Sequence, residues 1–149
     1  MPNRIFCNVD LAAWIYGTIE KHRDGAPWRS AWVDTYWAIG GLSRTSGEKG
    51  CPMMAAKTLY EMGRIREVGL PFTDCGLPEL WNRSRNGTYA ILATRLLRAS
   101  PNLSKASLWT EIQHAVRREL GDEPARSNQG GPTLAYQLWH LGLIVEESA

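Results

Sequence analysis

Apolar residues recur along this chain at spacings of three and four positions, the period of a helix that buries one face. The pattern predicts six such helices, arranged along the chain as two sets of three. No run of alternating apolar and polar residues is long enough to predict a sheet, so the predicted fold class is all-α. The predicted inward-facing residues are, in chain order, Leu11, Trp14, Ile15, Thr18, Ile19, Trp32, Tyr36, Ile39, Leu59, Met62, Ile65, Tyr89, Leu92, Ala93, Leu96, Leu97, Trp109, Ile112, Val116, Leu120, Leu134, Leu138, Leu141 and Ile144.

Polar residues and prolines mark where these helices are expected to begin. Asn8 or Asp10 is a candidate N-cap of the first helix, and Ser30 is a candidate N-cap of the second, because their side chains can accept a hydrogen bond from a free backbone N–H. Pro52 and Pro132 are expected at the first position of the third helix of each set, where a missing N–H costs nothing.

The two sets of helices resemble each other in sequence, which predicts an internal duplication. The aligned pairs include Pro52 with Pro132, Ala55 with Ala135, Leu59 with Leu138, Tyr60 with Trp139, Gly63 with Gly142, Ile65 with Ile144 and, further upstream, Trp32 with Trp109. We therefore predict one compact domain, residues 1–149, built from two pseudo-repeated three-helix units. The first unit covers residues 8–68 and the second residues 85–146, with a packed irregular linker at residues 69–84.

Three stretches also resemble the sequences of a known family. They are the KGCP helix start at residues 49–52, an AxxAxxL-like helix at residues 90–96 and the closing LWxxGLI helix at residues 138–144. The chain resembles an uncharacterised bacterial family of small cytosolic all-helical proteins. This resemblance implies a fold and no activity. The chain departs from the family at Gly130-Gly131-Pro132, where other members are richer in polar residues.

Composition and charge exclude several classes of protein. The 149 residues are 44% hydrophobic and 21% charged, and 17 Lys and Arg against 15 Asp and Glu leave a net charge of +2, too small to favour nucleic acid or an anionic membrane. No apolar run reaches membrane-spanning length, and the N-terminus lacks the apolar stretch of a signal peptide. Cys7, Cys51 and Cys75 are odd in number and lack CxxC spacing, which favours reduced thiols. We therefore expect a cytoplasmic protein.

Cys51 is the strongest candidate for reactivity. It precedes Pro52 at a predicted helix N-terminus, where the helix dipole favours a thiolate. A nucleophilic cysteine also needs a base, and no pattern assigns one of His22, His114 or His140 to this role. We expect a structural role for Cys51, because the corresponding residue of the second unit, Gly131, is also small.

Metal and phosphate motifs are incomplete. Glu111 and His114 have the i, i+3 spacing of half a di-iron site, but the second half and its extra carboxylates are missing. The glycine pair before Pro132 could bind an anion at a helix start, as many helix starts could. We predict no metal and no cofactor, and an enzyme is disfavoured.

Seven tryptophans are the most unusual feature of the composition. An exposed tryptophan beside arginine is typical of a protein-binding hot spot, although loop tryptophans can also fold back over a core. The candidate interaction surface consists of Trp28, Trp37, Trp81 and Arg83, with Trp28 and Trp81 expected in loops. The leading prediction is a non-catalytic cytosolic protein that acts by protein–protein interaction. Inhibitors encoded by phage or mobile elements have this profile, as do housekeeping adaptors.

The alternative is a nucleic-acid-binding regulator with helix-turn-helix-like units. The helix at residues 133–144 resembles a recognition helix, with Thr133, Tyr136, Gln137 and His140 expected outward. A tract without acidic residues between Glu79 and Glu111 could contact phosphates. Its cations are Arg83, Arg85, Arg95, Arg98 and Lys105. The candidate recognition helix itself carries no Lys or Arg, which weakens this alternative.

Overall fold

Every regular element in the described part of the chain is helical, as predicted. The computed structural model describes residues 9–68, 75–128 and 130–145. Its α-helices are α1 (Leu11–Arg23), α2 (Trp28–Ala38), α3 (Arg44–Glu48), α4 (Gly50–Glu61), α5 (Leu77–Arg83), α6 (Arg85–Ala99), α7 (Lys105–Ala115) and α8 (Gly131–His140). A π-helical turn, Val116–Leu120, continues α7. The all-α fold class is therefore confirmed.

The beginnings of the helices agree with the predictions in part. The Asp10 carboxylate accepts a hydrogen bond of 3.1 Å from the backbone N–H of Ala13, so Asp10 is the N-cap of α1. The prediction that Ser30 caps α2 is wrong. That helix begins at Trp28, three residues earlier than a cap at Ser30 implies, and the residue before it, Pro27, offers no side-chain cap.

The segment expected to be an irregular linker contains a helix. Residues 77–83 form α5, with Pro78 in its first turn, and residues 69–74 of the predicted linker lie outside the described residues. Leu80 and Trp81 of α5 are buried. The linker is therefore packed in its second half, as its apolar residues indicated, and helical there rather than irregular.

α6 is the central helix of the molecule. It packs along both α4 and α8, and these two helices also pack against each other, while α1 packs mainly along α2. Trp14 of α1 lies at the centre of the α1–α2 contact and is fully buried. Its indole ring stacks on that of Trp32 with centroids 4.2 Å apart, and its Nε1 donates a hydrogen bond of 2.9 Å to the Trp32 carbonyl. The core is therefore aromatic at this end.

Two helix crossings depend on glycine. At the α4–α6 crossing, a Cβ atom on Gly87 would lie 2.7 Å from the Cβ of Thr58, closer than two carbon atoms can approach. At the α1–α2 crossing, a Cβ on Gly17 would lie 2.6 Å from the Cγ2 of Thr35. At each crossing, a glycine on one helix lets the two helices come this close to a threonine on the other.

A short backbone bridge joins the chain after α4 to the chain after α8. Ile65 and Ile144 form an isolated antiparallel bridge, in which Arg66 N–H donates to the Leu143 carbonyl at 2.8 Å and Val145 N–H donates to the Arg64 carbonyl at 2.9 Å. Each helix reaches this bridge through a glycine with a positive φ, Gly63 at 71° and Gly142 at 75°. The bridge fixes the ends of α4 and α8 side by side.

Candidate interaction surfaces

The expected exposure of Trp28 and Trp81 is wrong. Both are buried, at 4% and 6% exposure, because both belong to helices and face the core. The Trp28 indole N–H donates to the Met53 carbonyl at 2.9 Å, and its ring stacks on Tyr60. Neither tryptophan can therefore be the exposed anchor of a binding surface.

Arg83, the fourth residue of the predicted surface, is exposed at the end of α5. Its guanidinium lies 4.0 Å from the Cys75 sulfur, and its side chain lines a shallow recess between α4 and α5 together with Lys57 and Met54. The structure thus does not gather Trp28, Trp81 and Arg83 into one exposed aromatic surface.

Trp37 is exposed, as predicted, and a second apolar side chain lies close to it in the sequence. Trp37 is 45% exposed near the end of α2, and Leu42, in the turn that follows, is 93% exposed. We name these two side chains the Trp37–Leu42 surface. Leu42 was not identified from the sequence, because a single leucine between a glycine pair and a serine carries no periodic signal.

The turn that carries Leu42 is anchored on Tyr36. The Tyr36 hydroxyl accepts hydrogen bonds from the backbone N–H groups of Leu42, at 3.2 Å, and Ser43, at 2.9 Å. Gly47 packs against the Tyr36 ring so closely that a Cβ there would lie 2.6 Å from the ring. Trp37 meets the Tyr36 ring edge-on, with centroids 5.4 Å apart. The surface is therefore attached to the core through one buried aromatic residue.

Trp81 connects α5 to the loop that precedes α8. Its Nε1 donates a hydrogen bond of 2.9 Å to an Asp122 carboxylate oxygen, and the Arg85 guanidinium lies over its ring. The hydrogen bond from Trp81 is the main cause that lowers the pKa of Asp122 below its usual value. A hydrogen bond from the Glu123 backbone N–H and the positive charge of Arg85 lower this pKa further. The contact is therefore strongest when Asp122 is ionised.

We expect the Asp122 contact to weaken in acid. A carboxyl whose pKa is lowered by folding stabilises the protein above the unfolded aspartate pKa of about 3.9, and this contribution is lost as the pH falls through the lower folded value. The difference in free energy of unfolding between wild type and Asp122→Asn should therefore shrink below about pH 4, measured by urea unfolding across the acid range. Asp34→Asn, at an exposed position on α2, is the matched control. An Asp122→Asn effect that is constant across pH would contradict this explanation.

The candidate catalytic and metal groups are not assembled into a site. Cys51 is partly buried at the second residue of α4. Glu111 and His114 face each other on α7 at 3.8 Å, with both side chains about half exposed. Within the described ranges, no group of three or more His, Cys, Asp or Glu side chains could hold a metal ion.

The predicted outward position of Gln137 on α8 is wrong. Gln137 is buried, because α8 packs against α4, α6 and α7 and offers only a narrow outer face. Thr133 is partly buried and its hydroxyl donates to the Asn128 side chain at 3.3 Å. Tyr136 and Trp139 are partly exposed and His140 is exposed, so the outer face of α8 is aromatic. A helix held in this way cannot enter a DNA groove with Gln137 foremost.

The basic tract is divided among separate places. Arg85 pairs with Asp122 at 3.4 Å, and the Lys105 ammonium lies 6.0 Å from the centre of the Tyr136 ring. Arg95 and Arg98, one turn apart near the end of α6, are brought together in one recess. The tract therefore does not form one continuous phosphate-binding stripe.

The recess that contains Arg95 and Arg98 also contains residues from two other parts of the chain. We name it the arginine recess. It is lined by Arg64, Thr94, Arg95, Arg98, Trp139, Ile144 and Val145. Arg64 and Trp139 were not singled out as partners of this tract, because the Ile65–Ile144 bridge brings them there from distant positions. The recess is thus built by the tertiary fold.

Comparison with known proteins gives a family and no activity. A family model described as "Family of unknown function (DUF6979)" matches residues 11–145. The chain belongs to this family. The match agrees with the uncharacterised family that the sequence resembles, while the individual motifs stay predictions. Neither a curated protein nor a solved structure matches the chain significantly.

No helix in the described part of this family member combines the length and apolar character that crossing a bilayer requires. Two surfaces of the described residues are candidates for binding: the Trp37–Leu42 surface and the arginine recess.

Proposed function

We propose that this protein is a non-catalytic cytoplasmic binding protein that acts by contacting another protein through the Trp37–Leu42 surface. The observation that carries the proposal is the pair of large apolar side chains, Trp37 and Leu42, exposed within six positions of each other. Tryptophan is enriched among the residues that dominate binding energy at protein interfaces.

The anchoring of the surface supports this proposal. Binding is weakened by the entropy of ordering side chains and loops, so a surface that is already ordered loses less on association. The Tyr36 hydroxyl holds the turn by accepting hydrogen bonds from two backbone N–H groups, and the Tyr36 ring contacts the Trp37 ring edge-on. A small inhibitor encoded by phage or mobile elements would use such a surface to cover part of its target, and a housekeeping adaptor would use it in the same way.

The proposal predicts a specific loss of partner on changing the surface. We expect a tagged wild-type chain to capture one protein from a lysate of its source cell in stoichiometric amount, with or without nuclease. Trp37→Ser combined with Leu42→Ser should weaken binding of that purified protein by about thirtyfold or more, the effect of removing a hot spot of about 2 kcal/mol. The affinity is measured by titration calorimetry.

The matched control is Met54→Ser, which removes a large apolar side chain of comparable exposure (37%) from α4. It should leave the affinity unchanged. Capture that disappears with nuclease, or that is equal for the wild type and the double variant, would overturn the proposal.

The alternative function is a nucleic-acid-binding regulator. Its support in the structure is the meeting of Arg95 and Arg98 with Arg64 in the arginine recess. Because α8 is packed on three sides, we place any nucleic-acid contact of this alternative at these arginines instead of at a helix-turn-helix unit.

We also infer that the chain arose by internal duplication of a three-helix unit. α2 and α7 are related by the same offset as Trp32 and Trp109. α4 and α8 end at corresponding residues, Glu61 and His140, and their first residues are one position apart in the alignment. Ile65 and Ile144, which correspond in the two units, pair antiparallel, as equivalent residues do across a two-fold axis. The units differ in the short helix α3, which only the first contains, and in packing, since α6 packs on both α4 and α8 whereas its counterpart α1 packs mainly on α2. Family members whose two halves align at a different offset would contradict the duplication.

A further inference from the structure

The arginine recess concentrates positive charge from separate parts of the fold. Arg95 and Arg98 lie one turn apart on α6, and Arg64 reaches the same recess from the turn after α4. Arg66 lines a second, larger recess that shares Trp139, Ile144 and Val145 with the first. The two adjoining recesses therefore bring together four arginines that come from α6 and from the turn after α4.

Trp139 gives this basic surface a planar apolar wall. Its side chain lines both recesses, so arginines lie on two sides of it, and it is partly exposed. Tyr136 and His140 lie on the same outer face of α8, with ring centroids 4.4 Å apart, and Lys105 lies above Tyr136. The surface thus alternates cations with aromatic rings.

Guanidinium groups and an exposed indole suit different parts of one ligand. A guanidinium presents a fork of N–H donors that matches the oxygens of a phosphate. An indole stacks on a nucleobase whatever its sequence. Because the arginine recess itself encloses only about 10 Å³, we propose that the arginines lining it bind the phosphate of a nucleotide unit at its mouth, with the base of that unit stacked on Trp139.

A ligand can bind to these arginines only by displacing the interactions that they already make. Arg64, Arg95 and Arg98 each already have an interaction partner. Binding therefore replaces one set of contacts by another, and we expect moderate affinity that falls as salt is added. This site rests on the alternative function proposed above, a nucleic-acid contact at these arginines, and not on the Trp37–Leu42 surface. Failure of the nucleotide site therefore leaves the protein-binding proposal intact.

Two sources could supply such a unit, a free mononucleotide or a single strand of nucleic acid. Both offer an unpaired base and a phosphate, whereas the bases of a duplex are already stacked on one another and cannot also stack on Trp139. The test therefore compares adenosine monophosphate, a short oligothymidylate, the same strand in a duplex, and inorganic phosphate.

The experiment measures fluorescence anisotropy of a fluorescein-labelled oligothymidylate, with the other three ligands as competitors. Arg64→Gln combined with Arg98→Gln should weaken binding by about tenfold or more, because hydrogen bonds to charged groups are lost. It should also lower the slope of log affinity against log salt by about 0.7 for each phosphate contact removed. Arg117→Gln with Arg118→Gln, two exposed arginines after α7, is the charge-matched control and should bind within about twofold of wild type.

The contribution of stacking is tested separately. Trp139→Leu keeps an apolar wall but should weaken binding of the oligothymidylate by about fivefold or more, the lower range for one stacked base. The inhibition constant of inorganic phosphate, measured by competition with the oligothymidylate, should be the same for Trp139→Leu and the wild type. Trp37→Leu, at the exposed position on α2, should bind like wild type. Thermal unfolding of each variant shows whether it is folded, and Arg98→Gln alone, at an exposed side chain, is the fallback if the double variant is not.

Each outcome decides the proposal. Oligothymidylate binding that is much tighter than that of the mononucleotide supports a single strand as the source, and equal binding supports a free nucleotide. No binding of any probe by wild type overturns the proposal. Equal loss in the Arg64/Arg98 and Arg117/Arg118 variants, or oligothymidylate binding that is unaffected by Trp139→Leu, also overturns it, because either result would mean attraction by charge alone.

Discussion

Replacing Trp14 by alanine is expected to lower the free energy of unfolding by about 3–5 kcal/mol. Trp14 is fully buried, stacks on Trp32 and lies 4.9 Å from Tyr36 between ring centroids. Alanine would leave a cavity among rings that cannot collapse into it, and would remove the indole hydrogen bond to the Trp32 carbonyl. Since a domain of this size is stable by about 5–15 kcal/mol, the variant should be near the limit of folding. Urea unfolding followed by circular dichroism measures the loss.

Two further variants test whether the buried ring causes this loss. Trp14→Phe keeps part of the ring and should lose less than Trp14→Ala. Trp37→Ala removes the same side chain from a half-exposed position in contact with the Tyr36 ring, and should destabilise the protein by about 1 kcal/mol, clearly less than Trp14→Ala. If Trp14→Ala and Trp37→Ala destabilise the protein equally, then the aromatic core at Trp14 does not stabilise the fold as described.

Gly87→Ala is expected to destabilise the protein by about 2–3 kcal/mol. The new methyl group would meet the Thr58 hydroxyl and lie 2.7 Å from the Thr58 Cβ, an atom that no side-chain rotation can move. α4 and α6 would have to separate, and α6 is the helix on which both α4 and α8 pack. The result is opposite to the usual benefit of replacing glycine within a helix. Urea unfolding measures it.

The sign of the effect is checked by the same exchange elsewhere. Gly50→Ala, at the start of α4 where nothing lies within 4 Å of the new methyl group, should be neutral or stabilising by up to about 1 kcal/mol. Thr58→Gly removes the side chain that the new methyl group of Gly87→Ala would strike. The double variant should therefore destabilise the protein by less than the sum of the two single changes. Strict additivity would show that the α4–α6 crossing does not cause the loss.

Helical periodicity was sufficient for the class of fold and for the longer helices. The face of α1 that contains Leu11, Trp14 and Ile15 is buried as predicted, since three- and four-residue spacing is a local property of the chain. Asp10 was identified as a cap for the same reason, because its partner lies three residues away.

The errors at Trp28 and Trp81 share one cause. Both tryptophans were expected in loops, but each follows a proline that lies just before a helix or in its first turn, where proline is accepted. Pro27 precedes α2 and Pro78 lies in the first turn of α5, so each tryptophan belongs to a helix and turns inward. A helix as short as α5 shows too few turns for its period to be recognised.

The arginine recess could be predicted only in part. Arg95 and Arg98 share a helix face by their spacing, and they were identified. Arg64 and Trp139 join them because Ile65 and Ile144 pair, and such a contact between distant residues has no local signature. The Trp37–Leu42 surface shows the same limit, because only the fold reveals that the Tyr36 hydroxyl holds the turn.

The packing of α8 against helices that precede it in the chain also affects how the protein folds during its synthesis. Synthesis proceeds from the N-terminus, and domains usually fold as units once their chain has emerged. Here α4 and α6 both pack on α8, and the bridge of Ile65 cannot form before Ile144 has been synthesised. The faces of α4 and α6 that pack on α8 therefore stay uncovered until residues 131–140 have emerged, and chaperones that bind apolar helix faces have access to them during that interval.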